Sequence, residues 1–138
     1  MKSCKHHLRV AWFFQWVAAA ILAQTLFFKF TGAEESRFIF TALGVEPWGR
    51  FATGLLELVA VVLLLTPRWA AWGGMLSLGL MSGAILGHLT RLGLVVRNDG
   101  GLLFGLATTV FVAAAAVVWL RRFQLPFLKG SAPRECRV

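Results

Sequence analysis

The sequence predicts an all-α integral membrane protein: an antiparallel bundle of four transmembrane helices, with a short amphipathic segment between helices 1 and 2. Three observations predict it. Of 138 residues 58% are hydrophobic, about 80 positions, the number that four bilayer spans of about 20 residues consume. Only 14% are charged, well short of the quarter or so found in soluble domains, and mean hydropathy is +0.72. The apolar residues also fall into four runs with short polar breaks. Residues 1–138 thus read as a single membrane domain.

A basic tail, residues 1–9, precedes a first span at about 10–28. That run is long and aromatic-rich and continues into Lys29 rather than a small-residue cleavage site, so a retained span is expected, not a cleaved signal. Residues 29–49 are amphipathic. Phe38, Ile39, Phe40 and Leu43 offer apolar contact, Glu34, Glu35 and Arg37 stay polar, and Gly44 stands where a short helix would end. An interfacial helix lying over one mouth of the bundle is expected. A second span, about 47–66, opens on Pro47, whose missing N–H costs nothing in a first turn, and stops at Pro67. Only Pro67 and Arg68 separate it from the third span, about 69–89. A link with Arg91, Arg97, Asn98 and Asp99 leads to the fourth, about 100–120, and a basic tail, 121–138, follows. Short links make sequential helices antiparallel neighbours.

The net charge of +8 flanks the spans rather than forming a folded basic surface, which excludes a nucleic-acid partner and leaves the lipid bilayer as the expected one. Lys2, Lys5, Arg9, Arg68, Arg121, Arg122, Lys129, Arg134 and Arg137 share one side; Lys29, Arg37, Arg50, Arg91 and Arg97 share the other. Nine against five puts both termini in the cytoplasm. Trp12, Trp16, Trp69, Trp72 and Trp119 then form an inner aromatic belt, with Trp48 on the outer side. Cys4 and Cys136 lie in the tails, with no Cys-x-x-Cys pair and no metal-ligand spacing, so no metal site is expected. Gly79, Gly83 and Gly87, and Gly101 and Gly105, recur at every fourth position. Such spacing brings helix backbones together in lipid. Packing within the bundle is the preferred reading, and a homo-oligomer is compatible.

Ionisable groups inside hydrocarbon are expensive and mark function by default. Lys29 ends the first span, Glu57 lies about 15 Å of helix inward from Pro47, His88 ends the third span, and Asp99 opens the fourth. All four fall in the outer half. Glu57 and His88 are the candidate catalytic pair, a carboxyl and an imidazole suited to exchanging a proton. Lys29, Gln24 and Asp99 are candidate ligand-binding groups, with Lys29 able to steady an anion such as a reduced quinone oxygen. Each residue also has a plainer role: snorkelling for Lys29, an N-cap for Asp99, a structural ion pair for Glu57, and packing for Gln15, Gln24 and Thr25.

The chain resembles the DoxX family of small four-span bacterial membrane proteins. The resemblance covers roughly Ala23 to Trp119. It rests on Lys29-Phe-Thr-Gly32, on Leu43-Gly44 followed by Pro47-Trp48, on Gly54-Leu-Leu-Glu57-Leu, and on Met81-x-x-Ala84-x-x-x-His88. It implies functional roles for Lys29, Glu57 and His88, and a location in the bacterial inner membrane. Some relatives are described as the small membrane subunit of a thiosulfate:quinone oxidoreductase, others as parts of membrane oxidoreductase complexes linked to oxidative stress. This chain departs from sulfur chemistry in having no cysteine near the cluster. The expected function is a quinone-associated oxidoreductase subunit or membrane anchor, with a soluble or membrane redox partner. The alternatives are a small proton-coupled transporter and a non-catalytic scaffold or assembly protein.

Overall fold

A computed structural model of the chain describes residues 2–126, with side chains from residue 6 onward. Helix α1 runs Lys2–Thr31, α2 Glu34–Ala42, α3 Trp48–Leu65, α4 Ala70–Gly87 and α5 Leu102–Leu120. A π-helical turn, His88–Leu92, extends α4, and a 3-10 turn, Arg122–Gln124, follows α5. No strand occurs among the described residues. Four segments, His6–Thr31, Trp48–Leu65, Ala70–Leu92 and Leu102–Leu120, are long and apolar enough to cross a membrane. The first and third outrun the lengths expected from sequence, because α1 winds through part of the basic tail and the π turn carries α4 past His88.

The long helices form a closed ring of neighbours: α1 against α3 and α5, and α4 against α3 and α5. The core between them is lined by small and medium residues, Ala18 and Leu22 from α1, Ala60 and Leu64 from α3, Met81 from α4, Val110 and Val117 from α5. Large apolar side chains point the other way. Phe13, Leu55, Leu89 and Val112 are each more than half exposed, an outward face that suits hydrocarbon better than water.

The close helix contacts differ from those expected. A Cβ on Gly79, Gly83 or Gly105 would meet nothing within 4 Å, so these glycines face outward instead of packing the bundle. Gly73 and Gly74 do that work near the start of α4. A Cβ on Gly73 would lie 2.5 Å from the Leu64 backbone nitrogen, and one on Gly74 2.8 Å from Val118. The burial phase of α4 explains the swap: Ala70, Gly74, Ser77, Met81 and His88 are buried, which turns positions 79 and 83 away.

Helix α2 lies across one end of this ring, touching α1, α3 and the π turn. It is amphipathic as expected, with Ser36 and Phe40 buried. Leu43 and Gly44 stop it. Gly44 adopts φ +76 and donates its N–H to the Thr41 carbonyl, while the Val45 N–H reaches Phe40, the paired bonds that close a helix end around a left-handed glycine. Arg97, in the link before α5, ties α2 down from outside through Glu34 at 3.3 Å and the Phe38 ring at 5.9 Å.

At the opposite end, side chains cap backbone. The Gln15 amide donates to the Leu64 carbonyl, which α3 leaves orphaned as it ends. Gln124 donates to the Pro67 carbonyl and accepts the Ala71 N–H at 3.0 Å, serving the end of one helix and the start of the next. Arg121 adds a second donor to Pro67 at 3.0 Å and lies 5.5 Å from the Trp12 ring. Cys136, Lys129, Arg134 and Arg137, and the side chain of Cys4, lie outside the described residues.

Candidate functional site

The centre of the site is an ion pair beneath α2. Glu57 is 3% exposed on the inner face of α3, about 14 Å along the helix from Trp48 at 1.5 Å per residue. Lys29, two residues before α1 ends, does not reach outward; it turns to Glu57 and places Nζ 2.9 Å from both carboxylate oxygens. Gly54 lies beside the stem of this lysine, where a Cβ would meet Lys29 Cβ at 3.8 Å and the Phe30 ring at 3.4 Å, ordinary contact distances. The Gly54-Leu-Leu-Glu57 spacing thus places the small residue one turn from the carboxylate, where the lysine stem crosses.

The Thr25 hydroxyl stands 3.1 Å from Glu57 Oε2 and 2.9 Å from the Leu22 carbonyl, so its single proton serves one acceptor or is shared. Glu57 is therefore well supplied with donors. Lys29 is not exhausted: an ammonium carries three N–H groups, and two are spent on Glu57. Its side chain keeps 15% of its surface against 4% for Glu57. The cation is the accessible member of the pair.

A second pair braces the first. Arg50, 5% exposed, donates through Nε to Glu46 at 2.8 and 3.1 Å, through a terminal nitrogen to the Lys29 carbonyl, and lies 4.5 Å over the Phe51 ring. It caps the last turn of α1 with positive charge at the carbonyl end, where a cation is favoured. The Lys29 backbone is held by Arg50 and its side chain by Glu57. Sequence reasoning counted Arg50 only as a flanking charge and did not single out Glu46. The available signal was the i, i+4 spacing of Glu46 and Arg50 around Pro47.

His88 lies elsewhere. The π turn carries Gly93 back over it, with Gly93 N–H donating to the His88 carbonyl at 2.8 Å, and the imidazole Nδ1 stands 3.0 Å from the Gly93 carbonyl. A carbonyl only accepts, so Nδ1 carries the proton, and in the neutral ring Nε2 is left as an acceptor. The ring is 5% exposed and packs edge to face on Phe104 of α5, centroids 5.7 Å apart. No hydrogen bond joins His88 to Glu57 among the described residues, so the four expected polar residues form two groups.

Asp99 belongs to the His88 group and acts on backbone. Its carboxylate accepts from Val96 and Gly101 N–H at 2.9 Å and from Leu103 at 3.0 Å, closing the link and the start of α5. The Leu103 and Gly101 amides hold its carboxyl below the usual 3.8, and His88 nearby adds to the effect. Gln24 joins neither group; it is exposed on the outer face of α1. Three or more His, Cys, Asp or Glu side chains disposed to hold a metal do not occur among the described residues.

No family model matches this chain, and no curated protein or solved structure matches it either.

Proposed function

We propose that this chain is a multi-pass protein of the bacterial cytoplasmic membrane, an antiparallel four-span bundle with both termini in the cytoplasm. It serves there as a quinone-associated oxidoreductase subunit or membrane anchor, of the kind the DoxX resemblance implies, and binds a lipophilic or anionic ligand beneath α2. The observation that carries this reading is the Lys29–Glu57 pair: a buried carboxylate holding an ammonium that keeps both surface and a spare N–H. A charge pair set inside hydrocarbon is costly, and this one presents its cation toward the mouth that α2 covers. A soluble or membrane redox partner follows from the reading, since no electron carrier of the chain's own is implied. Membrane alternation fits less well, because the side-chain amides of Gln15 and Gln124 at the opposite end donate to backbone carbonyls.

Mutual compensation of Lys29 with Glu57 and Arg50 with Glu46 favours one second reading, a scaffold whose buried charges only fix the bundle. Mass spectrometry of small molecules carried through gentle detergent purification separates the two. A defined lipophilic ligand held by the wild type and lost from Glu57→Gln and His88→Ala is the expected result. Bulk lipid alone in all three, at equal yields, would favour the scaffold.

A further inference from the structure

Arg121 is the first residue past α5, at the end of the bundle away from α2, and it is 4% exposed. The nitrogens of its guanidinium are used unequally. Nη1 donates to the Pro67 carbonyl at 3.0 Å. Nε and Nη2 are buried and make no hydrogen bond. Those two form one side edge of the planar group, where their N–H bonds run parallel, the fork that grips two oxygens of a carboxylate or phosphate at once. The guanidinium carbon stands 5.5 Å over the Trp12 ring. The arginine is thus held by Nη1 and by Trp12, with its binding edge unspent.

An arginine does not shed its proton, and a buried cation is costly unless an anion meets it. Of the six acids in the chain, Glu34 and Glu35 are on α2, Glu46 precedes α3, Glu57 pairs with Lys29, Asp99 precedes α5, and Glu135 lies outside the described residues. No ion pair to Arg121 occurs among the described residues. The other described charges at this end are cations, Arg9, Arg68 and Arg122, all exposed. The apolar stretch of α5 stops at Leu120, and Trp12, Trp69, Trp72 and Trp119 lie at the same end, the residue type that gathers at headgroup level. Resting on the membrane reading alone, and not on a ligand beneath α2, we infer that Arg121 binds the phosphate group of an anionic phospholipid through Nε and Nη2. Phosphate is the two-oxygen anion that a bilayer places at this level, and the exposed cations favour a lipid of net negative charge over a zwitterionic one. Gln124 donates to the same Pro67 carbonyl, so the Arg122–Gln124 turn lies beside the guanidinium. A phosphate admitted by a shift of that turn is enclosed and exchanges slowly.

The full-length protein, stripped of lipid in detergent, is titrated with phosphatidylglycerol, phosphatidylcholine and inorganic phosphate. Native mass spectrometry counts the lipid bound, and nitrogen NMR of labelled arginine follows the Arg121 Nε–H. One phosphatidylglycerol per chain, held more tightly than phosphatidylcholine, is expected, and the Arg121 Nε–H moves as it binds. Arg121→Lys keeps the charge and loses the fork, so phosphatidylglycerol is expected to weaken about tenfold, the loss of one charge-assisted hydrogen bond. Arg122→Gln, at the exposed neighbour, stays within about twofold. Phosphatidylglycerol held equally well by Arg121→Lys overturns the inference. If that variant does not fold, the wild type decides: an Nε–H that ignores phosphatidylglycerol overturns it. Inorganic phosphate that moves the Nε–H at the same concentrations as lipid makes the anion a free phosphate and overturns the lipid. An Nε–H that moves in lipid-free Glu135→Gln and not with lipid makes the partner a carboxylate of the chain itself, and the inference falls. Lys29→Met/Glu57→Met leaves phosphatidylglycerol binding unchanged, which separates this site from the one beneath α2.

Discussion

Asp99 shows how much a single carboxylate can do outside the site that suggested it. Three backbone amides point at it, and the first of them, Leu103, contributes most to keeping its carboxyl below 3.8. A carboxyl depressed on folding stabilises the fold above its ordinary titration range and loses that contribution as pH falls through its folded value. The link before α5 is therefore expected to loosen only below about pH 4. The amide signals of Val96, Gly101 and Leu103 should shift together as Asp99 takes up its proton, and in Asp99→Ala that transition should be absent. Amides that move independently would remove Asp99 from the role. Lys29 and Glu57 were legible in the sequence because each interrupts an apolar run, and hydrocarbon leaves a charge few options. Gln24 stands apart from both polar groups, for a reason the helix repeat makes plain. It lies nine residues from Gln15, two and a half turns at 3.6 residues per turn, so it faces the opposite way. Lys29 and Leu22 fall near the phase of Gln15, which is buried and tied to Leu64. Arg50 was not legible, because an arginine near a helix start reads equally well as a flanking charge or a buried brace. Only its contacts with Glu46 and the Lys29 carbonyl separate the two.

Among the elements, α4 carries the clearest test of packing. Gly73 lies against the backbone of α3, where a Cβ would come 2.5 Å from Leu64 nitrogen and 2.9 Å from Leu63 carbonyl carbon. Backbone cannot yield as a side chain can, so Gly73→Ala is expected to destabilise by about 1–3 kcal/mol, the usual cost of overpacking. Gly79→Ala meets open space and gains helix propensity worth up to about 1 kcal/mol. Thermal unfolding of the two variants in one detergent should move in opposite directions. Equal losses would place Gly79 inside a contact after all. The four long apolar helices were legible from hydropathy, and α2 from its mixed faces and Gly44. The glycine repeat was legible as a pattern but not as a partner, since every fourth position defines a face without saying what covers it. The π turn after α4 had no sequence signal of its own. It matters because it folds Gly93 onto His88 and so commits the imidazole Nδ1 to the Gly93 carbonyl.

Over the whole molecule, polar groups are divided by task. At the end away from α2, Gln15, Arg121 and Gln124 satisfy backbone carbonyls and amides between helices. At the α2 end, charges are paired with charges, and Lys29 keeps a donor to spare. Arg121 also keeps two buried nitrogens without partners, so what sets the α2 end apart is the paired charge, not the spare donor. Removing one partner of a buried pair leaves the other uncompensated and costs about 3–5 kcal/mol, whereas replacing both with apolar residues of similar size is often near neutral. Lys29→Met/Glu57→Met therefore keeps the fold while erasing the charge, which neither single variant can do. The decisive measurement is native mass spectrometry of that double variant beside the wild type, with thermal unfolding of the same samples. A variant that unfolds at the wild-type temperature but has lost the lipophilic ligand is the outcome expected if the pair exists to bind. An equally stable variant that still carries the ligand would contradict it and leave the pair as internal structure.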